Sequence, residues 1–362
     1  MPTDNGTQDN GSRDPSKETS RTTSRRLSRR RVLQGGGAIG ISTIAGCSAF
    51  SGGDNDELVV SSYGGAFDDV METIIEDFES EANATVSLAP YTTVSQIEGM
   101  SEDPDIGVAL LDDFDVIAGG TDLFVELDPD LVTRYDQQYD SAYLPNDAGI
   151  SHIFGAYGLA YDTEAWSESD LGSWTDLWND EFEGELAIQN DWPLFMVIAA
   201  RALGGSETDM DPLWEELPAL SENVEVFYEE FAAPEQLFNQ GQVTVASWFD
   251  GRTFALRDAG ESVSFAIPEE GATQVRGAAA AIQNSGVEEL AQEFIDHLLD
   301  PEVQVQFAED LYYGPTNTET NLSSGVEEDV VTEDDLADLI VPDWEYINAN
   351  RDEFTSNWQE NI

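Results

Sequence analysis

ELVVSSYGGAFDDVMETIIEDFESEANATVSL, residues 57–88, is the stretch on which the fold turns. Residues 57–62 read as a short strand, and Tyr63-Gly64-Gly65 as a turn. From 66 to 81 the apolar residues Phe67, Val70, Met71, Ile74, Ile75 and Phe78 recur at i, i+3, i+4, i+7, i+8 and i+11. That spacing is one face of an amphipathic helix. Residues 84–88 return to strand. Strand, glycine turn, helix and strand make a βαβ unit, so the sheet contains parallel strands.

The alternation continues downstream. Residues 106–111, 154–161, 185–189, 242–247, 263–267 and 277–282 read as further strands. A helix is expected over 193–203, with proline in its first turn and Gly204-Gly205 at its end. Another is expected over 287–299, stopped by Asp300-Pro301, and a last one over 346–359. No internal repeat is visible. The fold class is α/β.

Upstream, Ser28-Arg29-Arg30-Arg31-Val32-Leu33-Gln34 has the shape of a twin-arginine export signal, with Arg29 and Arg30 as its arginine pair. The apolar stretch 35–46 is too short to span a bilayer as a helix. It ends in Ile44-Ala45-Gly46-Cys47, which resembles a lipoprotein lipobox, and Cys47 is the only cysteine in the chain. A lone thiol there is best explained as the lipid-modified residue; the alternative is a chance cysteine behind an ordinary signal peptide. Residues 1–46 are therefore expected to be removed, and 47–56 to tether the folded, exported chain to the outer face of the cytoplasmic membrane. No later segment is apolar for long enough to cross a membrane.

The chain carries 74 Asp plus Glu against 14 Lys plus Arg, a formal charge of −60. Its single lysine, Lys17, lies in the leader. At about 1 M salt the Debye length is only ~3 Å, so this acidity reads as adaptation to very saline surroundings. Nucleic acid is not expected as a partner, because there is no basic face. With 40% hydrophobic and 10% aromatic residues the chain is not expected to be disordered. After Cys47 the cations are Arg134, Arg201, Arg252, Arg257, Arg276 and Arg351. Most are expected to form ion pairs, and one or two to meet a ligand.

The catalytic inventory is thin. His297 falls within a helical pattern and His152 in a loop before a strand, neither inside a motif. There is no G-x-S-x-G, P-loop, G-x-G-x-x-G or H-E-x-x-H. The reading includes no enzyme activity, no cofactor and no metal. A binding site is better supported. Tyr63-Gly64-Gly65 joins a strand to a helix N-terminus, where free N–H groups favour a polar or anionic ligand group; a tight turn needing positive φ is the alternative. Ser247 to Arg252 leaves a strand for a helix and sets Trp248 and Arg252 at the strand's C-terminal end. Arg252 suits a carboxylate, of a ligand or of a neighbouring side chain. For Arg276 an ion pair is favoured, and Tyr312-Tyr313 is expected to pack a crossover turn rather than hold iron.

In this order the features resemble the extracellular solute-binding proteins of ABC importers, in particular the spermidine/putrescine-binding group. The resemblance rests on Tyr63-Gly64-Gly65, on Tyr157-Gly158-Leu159-Ala160-Tyr161-Asp162-Thr163 and on Ser173-Trp174-Thr175-Asp176-Leu177-Trp178 leading to Phe182-Glu183-Gly184-Glu185-Leu186-Ala187-Ile188. Trp248 to Arg252 and Tyr313-Gly314-Pro315-Thr316-Asn317 complete it. It implies a two-lobed periplasmic-binding-protein-like fold of type II, each lobe a mixed, mostly parallel sheet flanked by helices. Lobe 1 is expected to comprise 57–156 plus 277–315 and lobe 2 157–276 plus 316–362, with hinge crossings near 156, 276 and 315. It also implies a monomer without catalysis that closes on a small solute and docks on a membrane permease. By this likeness Trp248 matches a cleft tryptophan, Asp191 falls near an amine-binding carboxylate, and Asp112 is a further candidate for an amine. The chain departs from the pattern at Trp192-Pro193-Leu194-Phe195 and at Val275-Arg276-Gly277, so a site for a dication looks dismantled. With Arg252 present, an amino-acid-like, opine-like or small organic acid ligand is favoured; polyamine, thiamine and ferric ion are the alternatives in the same role. The expected ligand-binding residues are Tyr63, Gly64, Gly65, Asp112, Asp191, Trp248, Arg252 and Arg276. Rivals from other classes are a surface-anchored hydrolase and a chemosensory binding subunit.

Overall fold

The βαβ unit forms where the apolar spacing puts it. Strand β1 (Glu57–Ser61) leads into helix α1 (Ala66–Ala82), which buries Phe67, Met71, Ile74, Ile75 and Phe78. The helix ends at Asn83 in the left-handed conformation, and β2 (Thr85–Ala89) returns parallel to β1. This computed structural model describes residues 57–100 and 104–362, all within one unit, Gly53–Ile362. The expected export signal, Cys47 and tether lie outside the described residues.

Helix α2 (Val94–Gly99), β3 (Val108–Asp112) and α3 (Asp113–Leu123) follow. The long β4 (Ile150–Asp162) precedes β5 (Leu186–Gln189), α4 (Pro193–Ala202), α5 (Asp211–Ser221) and β6 (Val224–Tyr228). Next come α6 (Ala233–Gln240), β7 (Val245–Phe249), α7 (Asp250–Asp258), β8 (Val263–Ala266) and β9 (Thr273–Ala281). Helices α8 (Glu288–Leu298), α9 (Pro301–Leu311), α10 (Ser324–Glu327), α11 (Glu333–Leu336), α12 (Trp344–Ala349) and α13 (Arg351–Asn361) complete the chain. The strands join in the order β2-β1-β3-β9-β4-β7-β5-β6, with β8 on β4. At each end the outer three strands are parallel; β9 and β4 in the middle run antiparallel to their neighbours.

The apolar core divides along β4. Ile150, Ile153 and Phe154 belong to a core with α1, α8 and α9, whereas Tyr157, Leu159 and Tyr161 belong to another with α4, α5 and α13. A third cluster, around Leu111, Phe124 and Ile282, covers the other face of the first lobe's sheet. On β9 the same change falls between Val275 and Ala279, and Gly314 bridges to Phe154 beside both crossings. Residues 316–336 are not wholly with the second lobe: the two ends of this segment pack on the first, while Asp329 between them pairs with Arg257 of α7. Thr316 and Asn317 bond Gln138, Gln304 and the Leu299 carbonyl, and Leu336 enters the first core. The chain rejoins the second lobe through Trp344, Ile347, Phe354 and Trp358. Each such side chain contributes about 1.5–3 kcal/mol on burial.

Several boundaries differ from expectation for local reasons. Strand β4 starts four residues early and takes in His152, which is fully buried beside Phe67 and Phe307 instead of standing in a loop. Strand β9 starts at Thr273, its polar residues having masked the pattern. Strand β7 starts at Val245 because left-handed Gly241 first closes α6. Asp300-Pro301 ends α8 and also begins α9, the Asp300 carboxylate accepting from the Glu302 N–H at 2.8 Å. The last expected helix is two, broken at Asn350.

Candidate functional site

The β1–α1 loop reaches the junction of the lobes. Gly64 (φ 76°) and Gly65 (φ 66°) occupy conformations that disfavour a Cβ, and at Gly65 an added Cβ lies 3.0 Å from that of Ala232 on the second lobe. Tyr63 is held by donating to the Leu111 carbonyl at 2.7 Å. The helix N-terminus behind this loop is already served by the chain's own carboxylates. Asp68 accepts from the Gly64 N–H at 3.1 Å, and Asp69 also lies in the first turn.

Between the lobes lies a narrow cavity of about 20 Å³, room for little more than one water molecule. Its aromatic walls are Tyr63, Phe231, Phe249 and Tyr313, and its floor is Ile153, Val275 and Gly277. Phe231 ties the walls together, edge-on to Tyr63 at 6.2 Å, to Tyr91 at 5.1 Å and to Phe249 at 5.7 Å. Two charged residues complete it: Asp112 at the end of β3 and Arg252 in the first turn of α7.

These two differ in one respect. Asp112 is 5% exposed, and its Oδ2 has no hydrogen-bond partner. Burial pushes its carboxyl well above the usual range, and the neighbouring Asp115 and Asp113 add to the shift. Arg252 has partners already: Nη1 donates to Glu235 Oε1 and Nη2 to the Tyr63 and Gly64 carbonyls, all at 3.3 Å. It thus connects the second lobe to the loop of the first. Each of the other arginines among the described residues also has a carboxylate partner. Arg134 pairs with Asp296 and Asp300, Arg201 with Glu207, Arg257 with Asp258 and Asp329, Arg276 with Asp113, and Arg351 with Asp191.

Of the expected ligand-binding residues the cavity brings together Tyr63, Asp112 and Arg252. Gly64 and Gly65 shape the loop without lining it. Arg276 is turned away, since Val275 and Gly277 face the cavity and side chains alternate along a strand. It reaches Asp113 and the Ser141 carbonyl instead. The same alternation puts Phe249, not Trp248, on the wall. Trp248 is fully buried in the second core and donates Nε1–H to the Phe231 carbonyl at 2.9 Å. Asp191, in the left-handed conformation (φ 49°), turns its carboxylate onto Arg351 and Thr355 of α13. Phe231 had no distinguishing signal in the sequence, while Phe249 and Tyr313 lie in stretches that carry the family likeness but were not among the expected ligand-binding residues. Tyr313 adjoins the third crossing, and its ring abuts Gly155 and Gly251, where a Cβ would crowd it at 3.0–3.2 Å.

Among the described residues no group of three His, Cys, Asp or Glu is placed to hold a metal.

The model of the family described as "Bacterial extracellular solute-binding protein" matches residues 101–350. The chain belongs to this family. It is 30% identical over 200 residues to the spermidine/putrescine-binding periplasmic protein of Escherichia coli (strain K12), covering 54% of this chain and 55% of the relative. The chain thus spans about half the length of that relative. It is 25% identical over 288 residues to the gamma-aminobutyric acid-binding protein of Pseudomonas aeruginosa, covering 74% and 78% of the two chains. Among solved structures, that of an ABC transporter from Clostridium perfringens ATCC 13124 aligns with a TM-score of 0.64 at 25% identity, covering 84% of this chain and 99% of that one. The fold is the two-lobed type II periplasmic-binding fold that the motifs led one to expect. The family and its structural neighbours are solute-binding proteins, not enzymes.

Proposed function

We propose that this chain is the substrate-binding component of an ABC importer and that its solute carries an ammonium group. The observation that carries the ligand class is Asp112: a buried carboxylate on the cavity wall with an unpartnered oxygen, while every arginine among the described residues is already paired. An ammonium there meets the unsatisfied oxygen, and the four aromatic rings add cation–π attraction of about 0.5–2 kcal/mol each at best. The relatives named for spermidine/putrescine and for gamma-aminobutyric acid share only the amine among their solutes' charged groups. A second reading, an amine that also bears a carboxylate, is favoured by Arg252 in the same wall.

In this proposal the lobes close on the solute, and the closed form docks on a membrane permease. Export by the twin-arginine route through Arg29 and Arg30, lipid attachment at Cys47, a monomeric state and adaptation to high salt belong to the same proposal. The test is thermal unfolding of the chain in molar salt against putrescine, spermidine, 4-aminobutyrate, amino acids, amine-free organic acids, thiamine and ferric citrate. A binder at 100 times its Kd stabilises by about 2.7 kcal/mol. Stabilisation is expected from members bearing an amine and is lost in Asp112→Asn. Stabilisation by amine-free acids alone overturns the ligand class.

A further inference from the structure

Arg252 is 6% exposed and lines the cavity, yet the counter-ion it meets is internal. Glu235, in the first turn of α6, presents Oε1 to Nη1 at 3.3 Å. Across the junction Nη2 is held by the Tyr63 and Gly64 carbonyls. The glycine loop lies against this pair: a Cβ at Gly65 would stand 3.4 Å from both Nη1 and Oε1. The Glu235 side chain is 25% exposed, so it is largely withdrawn from water.

We propose that Glu235 is a specificity-determining residue, the site's resident carboxylate, which occupies Arg252 so that the cavity favours an amine over an amine that brings a carboxylate of its own. This rests on the ammonium reading of the site. A ligand carboxylate at Arg252 either displaces Glu235, leaving a largely buried carboxylate without its cation, or sits beside it as a like charge. Both are costly in a desolvated position. Specificity then comes from an obstacle to the wrong ligand as much as from attraction to the right one. Neutralising Glu235 removes the obstacle and leaves a guanidinium on the cavity wall with no carboxylate, the arrangement that ordinarily binds anionic ligands.

The test compares n-butylamine with 4-aminobutyrate, equal in length and differing in the carboxylate, by titration calorimetry on the intact chain. The wild type is expected to bind n-butylamine the more tightly. In Glu235→Gln the affinity ratio is expected to move toward 4-aminobutyrate by about tenfold or more, and in Glu235→Asp to stay near that of the wild type. In an Arg252→Gln background the effect of Glu235→Gln on the ratio is expected to vanish, a coupling that general loosening of the fold does not produce. An unchanged ratio in Glu235→Gln, or a wild type that prefers 4-aminobutyrate, overturns the inference. Asp112→Asn separates the two levels. If it abolishes n-butylamine binding while Glu235→Gln leaves the ratio unmoved, only the role of Glu235 falls; if n-butylamine binds Asp112→Asn undiminished, the ammonium reading falls.

Discussion

Arg276 pairs with Asp113 and leaves Asp112, the adjacent residue, without a cation. Asp112 ends β3 and Asp113 begins α3, so their side chains diverge where strand becomes helix. Two carboxyls next to each other in the chain thereby acquire different chemistry. One lies in a buried ion pair and also accepts from the Phe114 N–H at 2.9 Å; the other faces the cavity with an oxygen to spare.

Removing the cation from the first of these exposes the cost of the charge it balances. Arg276→Gln is expected to destabilise the fold by about 3 kcal/mol, and Asp113→Asn in the same chain to restore most of it. Denaturant unfolding of the two single variants and the double variant checks this. A fully additive double variant refutes the pairing.

Asp112→Asn is expected to weaken amine binding about 100-fold while leaving the thermal midpoint at least as high as that of the wild type, because an uncompensated buried carboxyl is removed. Burial raises this group, so protonation competes with the amine. Amine affinity of the wild type is therefore expected to increase with pH, and calorimetry at several pH values measures the trend.

Trp248 and Phe249 are neighbours in sequence with opposite duties. Trp248→Phe is expected to lower stability by about 1–3 kcal/mol and leave amine affinity within about twofold, since the indole is a core group bonded to the Phe231 carbonyl. Phe249→Leu is expected to weaken binding through the lost ring on the cavity wall. Paired stability and affinity measurements distinguish the two. A larger affinity loss in Trp248→Phe than in Phe249→Leu counts against this assignment.

Asp250, at the start of α7, is 3% exposed, and burial pushes its carboxyl up to about 7 against the opposing backbone N–H groups of Ala156 and Gly251. The folded state therefore holds this proton more tightly than the unfolded chain, whose value is about 3.9. Its favourable contribution is complete below about pH 4 and is lost as pH rises to about 7. Asp250→Asn is expected to flatten stability across that window and to exceed the wild type at pH 8 by about 1–3 kcal/mol. Equal slopes for the two proteins between pH 4 and 7 refute it.

What the sequence reveals and what it hides follow from which faces are wet. Helix α1 was legible because its outer face is polar and its inner face apolar, a contrast that spacing alone displays. The β1–α1 turn was legible from its two glycines. Strand β7 (VASWF) is buried on both faces, so nothing in the letters tells which of Trp248 and Phe249 meets the cavity. Arg276 and Asp191 are polar in the sequence whichever way they turn; the alternation of β9 and a left-handed residue turn them away from the ligand cavity. Arg252 was found as a cavity residue, but Glu235, its partner, lies 17 residues upstream on another helix, a pairing that only the fold creates.

Because β4 and β9 stay paired from Ile150–Ala279 to Tyr157–Thr273, with one register shift between Ser151 and Ile153, the lobes share a two-stranded ribbon. Any swing of one lobe against the other must flex that ribbon as a leaf spring, storing the motion in small twists at many residues rather than in one loose joint. If the lobes move as proposed, amide hydrogens of the ribbon are expected to exchange slowly in every posture, and those of the glycine loop at 63–65 to respond to opening.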